Sequence, residues 1–202
     1  AYEISCSHVG SEMCIRDRHH TVDFLGINQY YPKRVRAPRY QWNEETPFHP
    51  ERYYEVFDLP GKKMNNSRGW EIYPKIMYDI AMYLKENYHN IPWLITENGM
   101  GREYEEQYMD EKGIVQDDYR IEFIGQHLRY LIKATEEGAN CEGYMLWAFT
   151  DCVSPMNAFK NRYGLVRIEL NDERSRTLKK SASWYQTLID KRELDLPDEI
   201  YK

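Results

Sequence analysis

Three short apolar runs, each ending abruptly in polar residues, constrain this chain more than any other feature. They are VDFLGIN at 22–28, WLIT at 93–96 and GYMLWAF at 143–149. Each is too short for a helix and reads as a buried strand. Amphipathic helices are predicted between and after them. Pro74 stands where the first would begin, and Ile76, Met77, Ile80, Tyr83 and Leu84 recur at three and four, to about Tyr88. Ile121, Ile124, Leu128, Leu131 and Ile132 mark the second, with Asp117 and Asp118 placed to cap its start and Gly138 to end it. The third covers 181–189. The order is a run of βα units with parallel strands buried on both faces. In an α/β barrel the active site is built past the C-terminal strand ends, where the polar residues of this chain cluster.

The connections are long. Residues 29–68 are polar, rich in aromatics and carry five prolines, which predicts a functional loop with small elements of its own. The stretch at 163–170 alternates from Leu165 like a hairpin strand, and the charged tail from Asp190 is expected to fray. The 18 Tyr are rich enough to mark a binding cleft or dense packing. A formal net charge of −6 argues against a nucleic-acid or anionic-membrane binder. No apolar run reaches the roughly 18 residues of a membrane helix, and no signal peptide is visible, so a cytoplasmic setting with reduced thiols is expected. Cys6, Cys14, Cys141 and Cys152 form no CxxC, which speaks against structural zinc. Asn65-Asn66-Ser67 fits a glycosylation acceptor that a cytoplasmic protein would leave unused. Residues 1–18 lack either period, and SEMCIRDR resembles translated sequencing-adapter read-through. They are taken as a non-native or disordered extension, with 19–202 as part of a single domain.

Glu97 is the foremost catalytic candidate: a carboxylate at a strand end, followed by Asn98 and Gly99. A loop Glu that caps a helix or pairs with a Lys is the plainer alternative. ITENG at 95–99 resembles the nucleophile motif of glycoside hydrolase family 1. DFLGINQYY at 23–31, GWEIYP at 69–74, DDYRI at 117–121 and LWAFTDCVSPMNAFKNRYGLV at 146–166 also resemble that family, in its order. The resemblance implies a (β/α)8 TIM barrel that hydrolyses β-glycosides with retention. Two carboxylates about 5 Å apart do this, one attacking the anomeric carbon and one serving as acid and base. It implies Glu97 as nucleophile, Tyr30 as the residue that orients it, and Asn28 and Trp147 in the sugar subsite. It implies no metal or organic cofactor and a small carbohydrate as ligand.

The family's acid/base residue lies in an Asn-Glu-Pro motif, and this chain has none. Its one Asn-Glu step, Asn43-Glu44-Glu45, lies downstream of the first strand motif, in the wrong place. The resembling motifs match about strands six to eight, and a TIM barrel takes about 250 residues. The expected fold is therefore the C-terminal part of a barrel, incomplete, poorly soluble alone and inactive without its acid. A split or non-catalytic sugar-binding piece is the competing reading. Substrate class turns on the loop after Trp147. Ordinary β-glucosidases of the family carry Glu-Trp where Ser154 and Pro155 stand here, and members acting on 6-phosphoglycosides carry Ser, then Lys and Tyr. Ser154 and Tyr163 match, whereas Asn161 replaces the Lys, with Lys160 and Arg162 as neighbours that could supply the cation. Pro155 in place of Trp disfavours the 6-phosphogalactoside members. The resemblance favours 6-phospho-β-glucosides, with unphosphorylated β-glucosides as the alternative.

Overall fold

A computed structural model describes residues 22–39, 53–171 and 173–196. Residues 1–18 and Asn43-Glu44-Glu45 lie outside them. The elements in order are β1 (Leu25–Asn28), β2 (Val35–Arg36), β3 (Glu55–Val56), β4 (Met64–Asn65), β5 (Trp70–Glu71), α1 (Ile76–Asn87), β6 (Trp93–Asn98), α2 (Asp118–Glu136), β7 (Cys141–Leu146), β8 (Val166–Ile168), β9 (Arg176–Leu178) and α3 (Lys180–Lys191). The sheet has the order β1-β6-β7, all parallel. This is three successive βα units of a (β/α)8 barrel. Each helix returns the chain to the strand's starting end, which keeps consecutive strands parallel.

α1 and α2 cover one face of the sheet. Met77, Ala81 and Leu84 of α1 and Leu131 and Ala134 of α2 pack on Trp93 and Ile95, each large side chain contributing about 1.5–3 kcal/mol. Of the three strands of this sheet, however, only β6 holds fully buried residues. β1 and β7 alternate between half-buried and exposed residues, with Asn28, Glu142 and Met145 open. Each of the two has a single ladder partner, and among the described residues no second layer covers the face opposite the helices. β6 also runs two residues past the predicted end. Glu97 and Asn98 stay in the ladder because Asn28 of β1 pairs with Glu97 and Leu146 of β7 with Asn98.

The long polar connection folds into two hairpins, β2-β3 and β4-β5. A fork from Arg34 to Glu71, at 3.0 and 2.6 Å, joins them. Asn65 of the glycosylation-like triplet is buried and donates to the Gly101 carbonyl at 3.0 Å, so folding itself closes that acceptor. β8 and β9 form the predicted hairpin. The tail departs from expectation, because Leu196 is buried and packs where a Cβ on Gly125 would stand.

A buried ion network fastens the helix starts to the loops above the strands. Glu105 accepts from Arg120 at 2.6 Å, Lys179 at 2.5 Å and Tyr119 at 2.7 Å. Lys179 also reaches Asp151 at 2.9 Å, and Asp151 faces Arg162 at 3.4 Å. Asp117 stands at the N-cap of α2 but caps none of its amides. Its carboxylate pairs with Arg120 and takes the Ser181 N–H at 2.8 Å and Oγ at 2.6 Å, capping the first turn of α3 instead. Burial alone would raise the Glu105 carboxyl, but the Arg120 and Lys179 charges outweigh it and hold it below its usual value.

His127 of α2 is fully buried. Its Nδ1 donates to the Phe123 carbonyl at 2.7 Å, and Nε2 has no partner. Burial pushes its pKa down to about 4, against the backbone bond, which raises it. The folded chain therefore holds His127 neutral, whereas the unfolded chain takes up a proton below about 6.5. Stability should fall by about 2 kcal/mol between pH 7.5 and pH 5, and further as pH passes 4. Glu105 adds to the loss below its ordinary range. Denaturant titrations across this window should show the slope, and His127→Leu should flatten it above pH 5.

Candidate active site

Strict alternation from Trp93 and Ile95 would send Glu97 towards the helices. A register shift between Ile95 and Asn98 prevents this. Asn98 takes the helix-side place, fully buried, donating to the Gln29 carbonyl at 2.7 Å and accepting from Tyr144 Oη at 2.7 Å. Glu97 is thereby turned to the open face, a common use of strand irregularities beside active sites. The Gln29 N–H closes on the Glu97 carbonyl at 2.8 Å, and the Trp147 N–H on the Asn98 carbonyl at 2.8 Å. The three strand ends are thus tied around one carboxylate.

Tyr30 Oη donates to Glu97 Oε2 at 2.7 Å. Its phenol is pushed far above the usual range, first by burial and then by that bond, so it serves as a fixed donor. An aromatic wall surrounds the pair. Trp70 lies 5.5 Å from Tyr30 and stacks on Tyr31 at 4.7 Å, and Tyr163 meets Tyr30 edge-on at 6.5 Å. Asn28 is exposed at the rim, and its amide oxygen accepts from Thr96 Oγ1 at 2.6 Å. Trp147 is 38% exposed beside the β6 end, open enough to meet a ligand.

The loop after β7 holds the other candidates. Ser154 exchanges backbone bonds with Ala158 at 2.9 and 2.8 Å, and its Oγ accepts the Met156 N–H at 3.2 Å, so it sits in its own tight turn. Lys160 Nζ lies 3.3 Å from Glu103, and buried Asn161 donates to the same carboxylate at 3.4 Å. Tyr163 is buried, its ring against Gly101. Arg162 is not available as a loop cation: it is buried against Asp151 and donates to the Ile168 carbonyl at 3.2 Å. The fold therefore gathers Glu97, Trp70 and Tyr163 around Tyr30, and separately Lys160 with Asn161 on Glu103. Glu103 carried no sequence signal. Trp70 lay in the GWEIYP motif, whose aromatic could have been singled out.

A family model described as glycosyl hydrolase family 1 matches residues 11–194. The chain is 52% identical over 170 residues to the 6-phospho-beta-glucosidase GmuD of Bacillus subtilis, an overlap covering 84% of this chain and 37% of that protein. It is 34% identical over 190 residues to the 6-phospho-beta-galactosidase of Staphylococcus haemolyticus, covering 85% and 38%. Among solved structures, the family 1 b-glucosidase from Thermotoga maritima superposes with a TM-score of 0.76 at 25% identity, over 93% of this chain and 39% of that one. The chain thus spans under two-fifths of the length of the curated relatives it matches.

Close approach at the strand ends gives a direct test. A Cβ on Gly99 would stand 1.8 Å from the Trp147 carbonyl oxygen, whereas one on Gly143 would meet Leu94 Cβ at an ordinary 3.8 Å. Gly99→Ala should destabilise by about 3 kcal/mol or more, since backbone cannot yield as a side chain can. Gly143→Ala should stay within about 1 kcal/mol, both read from denaturant midpoints.

Proposed function

The chain belongs to glycosyl hydrolase family 1, and from that premise we propose that it carries the nucleophile side of a retaining glycosidase acting on 6-phospho-β-glucosides. Glu97 attacks the anomeric carbon, and the glycosidic C–O bond breaks as the leaving oxygen takes a proton from a second carboxyl group. Water, deprotonated by that same group, then releases the sugar from Glu97. The second carboxyl is assigned to the rest of a longer protein, because no Asn-Glu-Pro occurs in these residues. The observation that carries the reading is the 2.7 Å bond from Tyr30 to a strand-end Glu97 on the open face of the sheet. That bond fixes one carboxylate oxygen and leaves the other for the sugar. Asn28 and Trp147 are assigned to the glycone subsite.

Three observations support a phosphorylated glycone. Ser154 and Pro155 stand where a sugar-gripping Glu-Trp is expected of an ordinary β-glucosidase. Tyr163 lines the site. The 52% identical relative is a 6-phospho-beta-glucosidase. Ser154, Lys160, Asn161 and Tyr163 are assigned to the phosphate end. Among the described residues no helix is long and apolar enough to cross a membrane. A phosphate dianion does not pass a bilayer unaided, so the enzyme is assigned to the cytoplasm, where its substrate would be held.

In the full-length protein that carries this segment, kcat/KM for 4-nitrophenyl 6-phospho-β-glucoside should exceed that for 4-nitrophenyl β-glucoside by at least about 100-fold, as expected for a recognised dianion. Equal or reversed values would favour the unphosphorylated glucoside. Glu97→Gln should abolish turnover with the melting temperature kept, and Tyr30→Phe should lower kcat about 10-fold or more. Turnover retained in Glu97→Gln would remove Glu97 from the nucleophile role.

A further inference from the structure

The loop after β7 is short of free positive charge. Lys160 is matched by Glu103 at 3.3 Å, and Asn161 donates to the same carboxylate. Arg162 is committed to Asp151 and the Ile168 carbonyl. Arg102 turns away, donating to Tyr108 at 2.8 Å and lying over the Tyr119 ring. A phosphate dianion brought here would meet one cation already neutralised by one carboxylate, and a desolvated dianion needs more than that.

Arg68 supplies what the loop lacks. It sits in the turn between β4 and β5, with its guanidinium over the Trp70 ring at 4.3 Å. Among the described residues no carboxylate pairs with it, and its Nε is buried with no hydrogen-bond partner. It lies beside the Tyr163 hydroxyl. Burial raises that phenol, and the Arg68 charge works against the rise. The turn is fixed in place: Asn65 donates to the Gly101 carbonyl at 3.0 Å, and Ser67 Oγ accepts the Glu103 N–H at 3.1 Å. Gly101 has no Cβ, which makes room for the Tyr163 ring, 2.3 Å from where that atom would stand. The loop that leaves Glu97 thus sets Arg68 and Tyr163 side by side.

We propose that Arg68, beside Tyr163, is the cation that reads the 6-phosphate of the substrate, an assignment that rests on the 6-phosphoglycosidase reading above. A guanidinium offers parallel N–H donors that match two phosphate oxygens, and stacking on Trp70 holds its plane. The position of Asn161 then makes sense: the β4-β5 turn supplies the charge that Asn161 lacks, and Lys160, already paired with Glu103, only adds to it.

The test uses the full-length protein. Arg68→Gln should cut kcat/KM for 4-nitrophenyl 6-phospho-β-glucoside roughly 10- to 100-fold, while 4-nitrophenyl β-glucoside changes less than about threefold. Arg68→Lys should recover part of the loss. In the unsubstituted enzyme, which removes any folding question, glucose 6-phosphate should protect Arg68 from phenylglyoxal, mapped by peptide mass, and glucose should not. Equal losses on both substrates, or equal protection by both sugars, would overturn the assignment. If the unsubstituted enzyme prefers the unphosphorylated glucoside, the substrate reading fails and Arg68 falls with it. If it prefers the phosphate and Arg68→Gln keeps that preference, Arg68 alone falls.

Discussion

Six buried charges hold the site end of this molecule together. Arg120, Lys179 and Arg162 face Glu105, Asp117 and Asp151, and none is more than 8% exposed. Three positive and three negative groups leave no net charge to stabilise, which is why such a cluster tolerates burial at all. Its members come from the loop after β6, the start of α2, the loop after β7 and the start of α3. Neighbouring βα units are thereby joined above the sheet, where apolar packing is thin. Gly164 shows how tight the joint is: its N–H donates to Asp151 at 3.0 Å, and a Cβ there would stand 2.1 Å from the Asp151 nitrogen.

The network does no chemistry, but it determines what can. With Arg162 and Asp151 locked together, the loop after β7 is anchored at 151 and 162, and the residues between them form the small turn around Ser154. With Glu105 locked, the loop after β6 is anchored as well, and its near end carries Gly99, Gly101 and Glu103 past the strand ends. Glu97 is presented between two fixed loops, oriented by Tyr30 from a third. A carboxylate held by one short bond and flanked by aromatic rings has its orientation set by the fold itself, which is what preorganisation of a charged group means.

Much of this was legible in the sequence. The helical spacing of Ile76, Met77, Ile80 and Leu84 and the apolar runs at 22–28, 93–96 and 143–149 follow from periodicity, which reflects burial directly. Other features were not legible. Asp117 reads as a cap for its own helix and instead caps α3, because a side chain in the N-cap position serves whichever amides the packing brings within reach. Arg162 reads as a surface loop cation and is buried, because its partner Asp151 lies across the loop. The tail reads as frayed until Leu196 finds Gly125, a cavity made by a helix surface that no local pattern announces.

The sequence by itself determined the βα order, the strand-end position of Glu97 and, through its motifs, the family. These depend on local periodicity and on residue strings, which need no third dimension. The tertiary structure decided which way Glu97 points, since a register shift in β6 overrules simple alternation. It also decided which cations are free. Lys160 and Arg162 are neutralised by carboxylates from 57 and 11 residues away, while Arg68 is brought to Tyr163 from another hairpin with no carboxylate paired to it among the described residues. Charge is a property of a residue, but its availability is a property of what folding places beside it.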